Sequence, residues 1–556
     1  MNGALLLSIG IILYFICYKF YGSYLSKLFG INPGNKTPAH KLNDGIDYLP
    51  AKASVLFGHH FASIAGAGPI IGPILGICFG WLPAVIWIIL GCIFIGAVHD
   101  FSALFISIRN EGRSIGHIIE KYIGYIGRQI FLFFCLAALL LVIAMFAILV
   151  AKTFVNSPDV ATSSILFIAI AVVFGVLVYK KNLPLPIGTA IFVPLLFISI
   201  YIGTKFPMDL SLLIGVSTEQ AKNIWLLMIF IYISIASVAP VWILLQPRDY
   251  LNSYLMYSMI LLSIAAIMIT APKFNMPVFN GFFVMDPVKG KLQWALFPLL
   301  FVIIPCGACS GFHSLVCSGT TAKQLDNERH ILPIGYGAML LEGVVALIAL
   351  ISVAGLHNGE YISILSEKGP IYAFASGISG FCEHLNLSRD VGRSFLSLTI
   401  SAFILTTLDT AARLSRFTLQ EIVMPRYGAT KRENIQTFLL RNRYIATLFV
   451  VIISGYLAFS GDGGKIWPVF GASNQLLAAL ALLTATVVLV KGKIKIVSVF
   501  LPFIFMITIS VWALLKLLLI NMLPLNLPLF TASLFLLIMA IFLVGVAVIK
   551  INRFFK

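Results

Sequence analysis

The sequence predicts an all-α polytopic membrane protein of about fifteen spans, built on a core of two inverted five-helix repeats with discontinuous helices. Three observations carry this prediction. Of the 556 residues, 60% are hydrophobic and 11% charged, against roughly 45–50% and about 25% in soluble domains. Apolar runs of roughly 20 residues, the length that crosses a bilayer, follow one another along the chain. Gly and Pro interrupt some of these runs at mid-depth.

The runs begin near Ala4, Ser54, Leu82, Ile130, Ala161, Leu185, Ile224, Tyr250, Trp294, Pro333, Arg393, Arg443, Ile466, Ile494 and Leu527. The first has no basic n-region and no small-residue cleavage site, so it reads as a retained span rather than a signal peptide. Ile371–Phe381 is short and Gly/Ser-rich and is expected to lie on the outer face without spanning. Alternation from an outside N-terminus puts Arg109–Arg128, Lys180/Lys181, Lys323/Arg329, Arg413–Arg443, Lys491–Lys495 and the C-terminal tail inside. About 27 of the Lys and Arg residues then face the cytoplasm and about 11 the outside, as the positive-inside rule requires. The opposite orientation reverses that balance. The formal charge of +17 is thus spread over short loops, with no basic domain for nucleic acid.

The stretch 58–73, GHHFASIAGAGPIIGP, places Gly66 about 12 residues and about 18 Å into the second run, near the midplane. Pro69 and Pro73 remove backbone donors and the glycines weaken the helix beside them. Backbone freed at that depth is tolerated where it lines a polar cavity or packs against protein. The seventh run, SIASVAPVWILLQPRDY (234–250), puts Pro240 near mid-membrane in the same way. Runs two and seven are five apart and antiparallel, the pattern of an inverted repeat holding a solute between two broken helices. This divides the chain into 1–53 (an extra span and cytoplasmic loop), 54–222 (first repeat), 223–420 (second repeat) and 421–556 (accessory spans). A third irregular run, IPCGACSGFHSLVCSGTT (304–321), falls in the ninth span as the third helix of the second repeat.

These stretches resemble the carbon starvation protein A family of the amino acid–polyamine–organocation superfamily. The matching runs are LFGHHFASIAGAGPIIGPILG (56–76), GAVHDF (96–101), QPRDYL (246–251), SGFHSLVCSGTTAKQL (310–325), GYGAMLLEG (335–343), LTTLDTAARLSRF (405–417) and WPVFGASNQLLAALALL (467–483). The resemblance implies a bacterial or archaeal inner-membrane transporter with a LeuT-like five-plus-five core, linked to uptake of peptides and, in similar proteins, pyruvate. His99 departs from the glutamine associated with many members. Both candidate solutes carry a carboxylate, which suits the positive end of a broken helix. The solute is therefore expected beside Gly66, Ala67, Gly68, Pro69, Ala239 and Pro240.

An ionisable group inside a span costs roughly 2.5–3.5 kcal/mol on insertion scales and asks for a reason. His59 and His60 in the second span, Asp100 in the third and His313 in the ninth fall at one level of the membrane. A proton relay through Asp100 and these imidazoles is the preferred coupling device. The rival is sodium, with hydroxyls such as Ser310 and Ser314 as hard oxygen ligands. A metal site on His59, His60, Asp100 and His313 is a third reading, weakened because adjacent histidines point about 100° apart on a helix. A water-filled vestibule with satisfied histidines is the fourth.

Asp409 and Arg413, four apart, read as a structural helix pair. Arg248-Asp249 read as interfacial anchors or a gate latch, and Asn474/Gln475 as interhelical polar contacts. Glu342, inside span ten, has no assigned role. The eight cysteines lie almost all in apolar runs and suggest no disulfide framework.

The functional expectation is a secondary transporter of small carboxylate-bearing solutes coupled to H⁺, with Na⁺ coupling as the alternative. No enzyme activity, cofactor or nucleic-acid partner is expected. The absence of a P-loop motif excludes ATP use by that route. A membrane metalloenzyme, for which no HExxH is present, and a channel are the competing classes.

Overall fold

A computed structural model describes residues 1–44, 48–240, 243–287, 293–423, 442–460, 463–522 and 526–555. Arg426, Lys431, Arg432, Arg441 and Lys556, counted above among the inner basic residues, lie outside the described residues. Among those described, thirteen helices are long and apolar enough to cross a membrane, and one bent pair makes a fourteenth span.

The chain opens with α1 (Gly3–Leu28). The bent pair follows, α2 (Ala53–Ile64) and α3 (Gly68–Phe79), which meet at 47°. Next come α4 (Trp81–Arg109), the loop helix α5 (Ile115–Tyr122), α6 (Tyr125–Asn156), α7 (Pro158–Val178) and α8 (Leu185–Lys205). Helices α9 (Thr218–Val238) and α10 (Leu245–Thr270) precede a small hairpin of β1 (Phe283–Met285) paired antiparallel with β2 (Gln293–Ala295).

The span expected from Trp294 is broken. It consists of α11 (Leu296–Ile303) and α12 (Phe312–Val316), and the helical path runs on through Cys317–Thr321 and Ala322–Gln324. Then come α13 (Glu328–Ala354), the short helices α14 (Asn358–Glu367) and α15 (Pro370–Cys382), and α16 (Arg389–Ile422). The last spans are α17 (Arg443–Ser460), α18 (Ile466–Lys491), α19 (Val497–Met522) and α20 (Leu527–Ile549).

Burial sorts these helices. In α6, α13, α16 and α18, 89–94% of the most apolar window is buried, against 28–33% in α1, α8, α17 and α20. Since all are comparably apolar, the difference is position. The first group is core and the second presents its apolar faces to lipid. Helix α6 lies along α16 at the centre.

Pro240 does not break a span. A capping box starts α9 six residues before the apolar run: Ser217 Oγ accepts from Gln220 N–H and Gln220 Oε1 accepts from Ser217 N–H. The helix is therefore complete at Val238. Ala239 is extended, as a residue before proline prefers. Arg413 donates to the carbonyls of Ala236 and Ala239 at 2.9 and 2.8 Å, closing the helix end. The second broken span is the ninth instead.

Helix α15 matches the short run 371–381. Its 13 residues are too few to span. It packs on α16 and α13, while Tyr361 of α14 donates to the Ile74 carbonyl of α3 at 2.7 Å.

Candidate functional site

The two broken spans touch. Gly68, Gly72 and Gly76 form one stripe of α3 that faces the second break. A Cβ on Gly72 would lie 3.0 Å from the Ile303 carbonyl oxygen, and one on Gly68 would lie 2.5 Å from Cys306 Cβ. Small residues at a four-residue spacing let the two backbones approach.

The free backbone of the second break is satisfied by side chains from neighbouring spans. Gln475 Nε2 donates to the carbonyls of Phe301 (2.9 Å) and Pro305 (3.4 Å). Trp467 Nε1 donates to Ile303 and Trp87 Nε1 to Ile304, both at 3.1 Å. Asn474 Oδ1 accepts from Phe312 N–H at 3.0 Å, and its Nδ2 donates to Ser310 Oγ at 3.1 Å. Asn474 and Gln475, expected as polar interhelical contacts, thus hold the break open against α18.

The first break is treated differently. Gly66 N–H donates to Ile64 and the Ala67 carbonyl accepts from Ile70 and Ile71. The N–H groups of Ala67 and Gly68 make no hydrogen bond among the described residues. Together they form the positive end of α3.

A cavity lies between the breaks, lined by Ile64, Gly66, Gly68, Cys306, Phe312, Asn474, Phe146 and Phe470, with Thr407. It has about 20 Å³ for the centres of water-sized groups, enough for a water. Of the expected solute residues, Gly66 and Gly68 line this cavity, and Ala67 and Pro69 are buried beside them. Ala239 and Pro240 do not: they end α9, and Pro240 is exposed. Their depth was read from a helix taken to start too late. The missed partners are Cys306, Phe312, Thr407 and Asn474. The signal for the first two was the third irregular run.

Asp100 of α4 joins two imidazoles. Its Oδ1 lies 2.7 Å from His99 Nδ1 and its Oδ2 lies 2.8 Å from His313 Nδ1. His313 Nε2 faces Glu342 Oε2 of α13 at 3.3 Å, without hydrogen-bond alignment, so neither Glu342 oxygen has a hydrogen-bond partner. All four side chains are fully buried. Close helix crossings make this possible: a Cβ on Gly335 would lie 3.1 Å from Phe101 Cα.

The other expected ion-coupling residues divide. His60 is buried with Nδ1 2.8 Å from Thr321 Oγ1 and Nε2 unpartnered. His59 is half-buried, and among the described residues its ring forms no hydrogen bond. Ser310 is engaged by Asn474, and Ser314 Oγ donates to the Gly311 carbonyl at 2.7 Å. Among the described residues no three His, Cys, Asp or Glu side chains converge to hold a metal ion. Glu342 and His99 are the members of the chain that sequence reasoning left out. A lone carboxylate in a span signalled Glu342, but nothing in the sequence paired it with His313.

A second buried charge group ties α10 to α16. Arg248 Nη1 lies 2.5 Å from Asp409 Oδ2, and Tyr232 of α9 donates to the same oxygen at 2.8 Å while also contacting Arg248. Both charged residues are 1% exposed, so Arg248 is no interfacial anchor. Asp409 pairs with it rather than with Arg413, whose guanidinium caps α9.

Residues 2–367 and 362–513 match the family described as Carbon starvation protein CstA. The chain is 36% identical over 540 residues to the peptide transporter CstA of Campylobacter jejuni, covering 87% of this chain and 75% of that protein. It is 33% identical over 556 residues to the pyruvate/proton symporter BtsT of Escherichia coli K12, covering 86% and 76%. A structural alignment with the Eremococcus coleocola manganese transporter covers 92% of this chain and 99% of that one, at a TM-score of 0.46 and 11% identity.

Proposed function

Because this chain belongs to the carbon starvation protein CstA family, we propose that it is a multi-pass secondary transporter that imports small carboxylate-bearing solutes, peptides or pyruvate, together with protons. The observation that carries this reading is the meeting of two broken spans at one small cavity, with the buried acid–imidazole chain joined to it through α12. Phe312 lines the cavity and its neighbour His313 bonds Asp100.

With the second break in the ninth span, the two inverted halves become residues 53–205 and 296–491, in place of 54–222 and 223–420. Each runs as a broken span, a long span, one short helix in the first half and two in the second, a core span of 32 or 34 residues and two further spans. Corresponding spans are seven apart in order, an odd number, so they cross in opposite senses. The α9–α10 hairpin is inserted between the halves. Such a pair of halves rocking about a central site is the usual basis of alternating access.

The solute carboxylate accepts from the N–H groups of Ala67 and Gly68, where a helix start offers unpaired donors. Thr407 and Asn474 supply polar contacts from the facing helices. The proton travels along Asp100, His313 and Glu342. Any shift of α12 that opens the cavity past Phe312 also moves His313 relative to Asp100, so solute and proton occupancy are linked through one rigid piece. One observation favours protons over sodium: the Glu342 carboxylate faces His313 Nε2 and has no hydrogen-bond partner.

The test is uptake of pyruvate and of a dipeptide into proteoliposomes. Uptake that follows an imposed proton gradient at constant sodium supports the reading. Uptake that ignores protons and follows sodium overturns the coupling. Flux without counterflow would make the protein a channel.

A further inference from the structure

We propose that the groove between α1, α4 and α19 is a binding site for an anionic phospholipid, with an acyl chain in the groove and the headgroup phosphate on Lys27, Lys493 and Lys495. The groove encloses about 490 Å³, within the roughly 300–1,000 Å³ range of ligand sites. Tyr21 and Tyr24 of α1, Phe94 of α4, and Leu501 and Phe505 of α19 line it. The tyrosine rings stack with centroids 6.1 Å apart, and Tyr21 meets Phe94 edge-on at 5.4 Å. These walls face outward: Tyr24 is 52% and Leu501 62% exposed.

In a membrane protein such a surface is covered by lipid, and its depth suits one leaflet. From Val497 at the start of α19 to Phe505 is about 12 Å along the helix, against about 15 Å for half the hydrocarbon core. Tyrosine at the shallow end is placed as in an interfacial aromatic belt.

The charges at that end select the headgroup. Lys27 lies one turn beyond Tyr24 on α1, and Lys493 and Lys495 form the turn that leads into Val497. All three are exposed, and among the described residues no carboxylate pairs with them. Lys491 is set apart, its ammonium lying over the Tyr122 ring. Ser498, on the groove wall, has a buried hydroxyl with no hydrogen-bond partner. Two walls of one apolar groove therefore bring free cations to its mouth and a free donor just inside, as a phosphate with an ester-linked chain requires.

The test uses the full chain in nanodiscs with photoactivatable phosphatidylglycerol or phosphatidylcholine at equal mole fraction, with adducts mapped by peptide mass spectrometry. At segments 21–24 and 497–505, phosphatidylglycerol should label roughly fivefold or more over phosphatidylcholine, the ratio expected of one lysine near a phosphate. In the Lys27→Gln/Lys493→Gln/Lys495→Gln variant the ratio should fall toward one while phosphatidylcholine labelling is unchanged. In the wild type it should also fall with added salt, a check that needs no variant. Equal labelling by both lipids, or a preference insensitive to the lysines and to salt, would overturn the proposal and leave the groove an ordinary lipid-facing surface.

Discussion

Asp100 Oδ2 and His313 Nδ1 lie 2.8 Å apart, joining the third and ninth spans at a fully buried point. A carboxylate and an imidazole so placed exchange a proton without solvent, and each holds the other in orientation. Asp100→Asn should therefore stop gradient-driven uptake while solute exchange continues. Glu342→Gln should do the same. Parallel measurements of net uptake and counterflow in proteoliposomes check this. Full proton-driven uptake by Asp100→Asn would remove the residue from coupling.

Gly68 is a steric contact with Cys306. A methyl group there would lie 2.5 Å from Cys306 Cβ and closer still to its Sγ. Gly68→Leu should abolish solute binding, and Gly68→Ala should weaken it. Cys306→Gly, which removes both clashing atoms, should restore binding to Gly68→Ala. Binding assays on the single and double variants decide; wild-type binding by Gly68→Leu refutes the placement.

The Arg248–Asp409 pair carries a stability prediction. Removing one partner strands the other charge in the core, at a cost of about 3–5 kcal/mol, whereas an apolar replacement of both is near neutral. Arg248→Met and Asp409→Leu should each lower the unfolding temperature in detergent more than the double variant does.

Gln475 serves the second break. Gln475→Leu leaves the Phe301 carbonyl without its donor, while the Pro305 carbonyl keeps Cys309 N–H; this should cost about 1–3 kcal/mol for a buried unpaired group. Thermal unfolding checks the stability loss, and a matching rise in KM would show that the break's geometry matters to the solute.

The orientation is open to direct test. Cysteines introduced in the Arg109–Arg128 loop and in the 424–441 segment should react only with membrane-permeant reagents. Seven of the eight native cysteines are buried and Cys17 is partly so, which keeps the background low. Labelling of both loops from outside would reverse the map.

The membrane class, the approximate number of spans and the weakness at Gly66–Pro69 and at 304–311 were set by the sequence itself. Hydrophobicity and the helix-breaking chemistry of Gly and Pro act over one or a few turns and need no partner. At Pro240 two local signals compete: the Ser217/Gln220 capping box moves the helix start and carries the proline past the end. Pairing was decided by the tertiary structure alone. No spacing along the chain says that α3 meets Cys306, that His313 reaches both Asp100 and Glu342, or that Asp409 takes Arg248 over the nearer Arg413. Those choices depend on which helix faces pack together. A buried charge goes to the partner that packing brings within hydrogen-bond reach, because an unpaired charge cannot stay in the core.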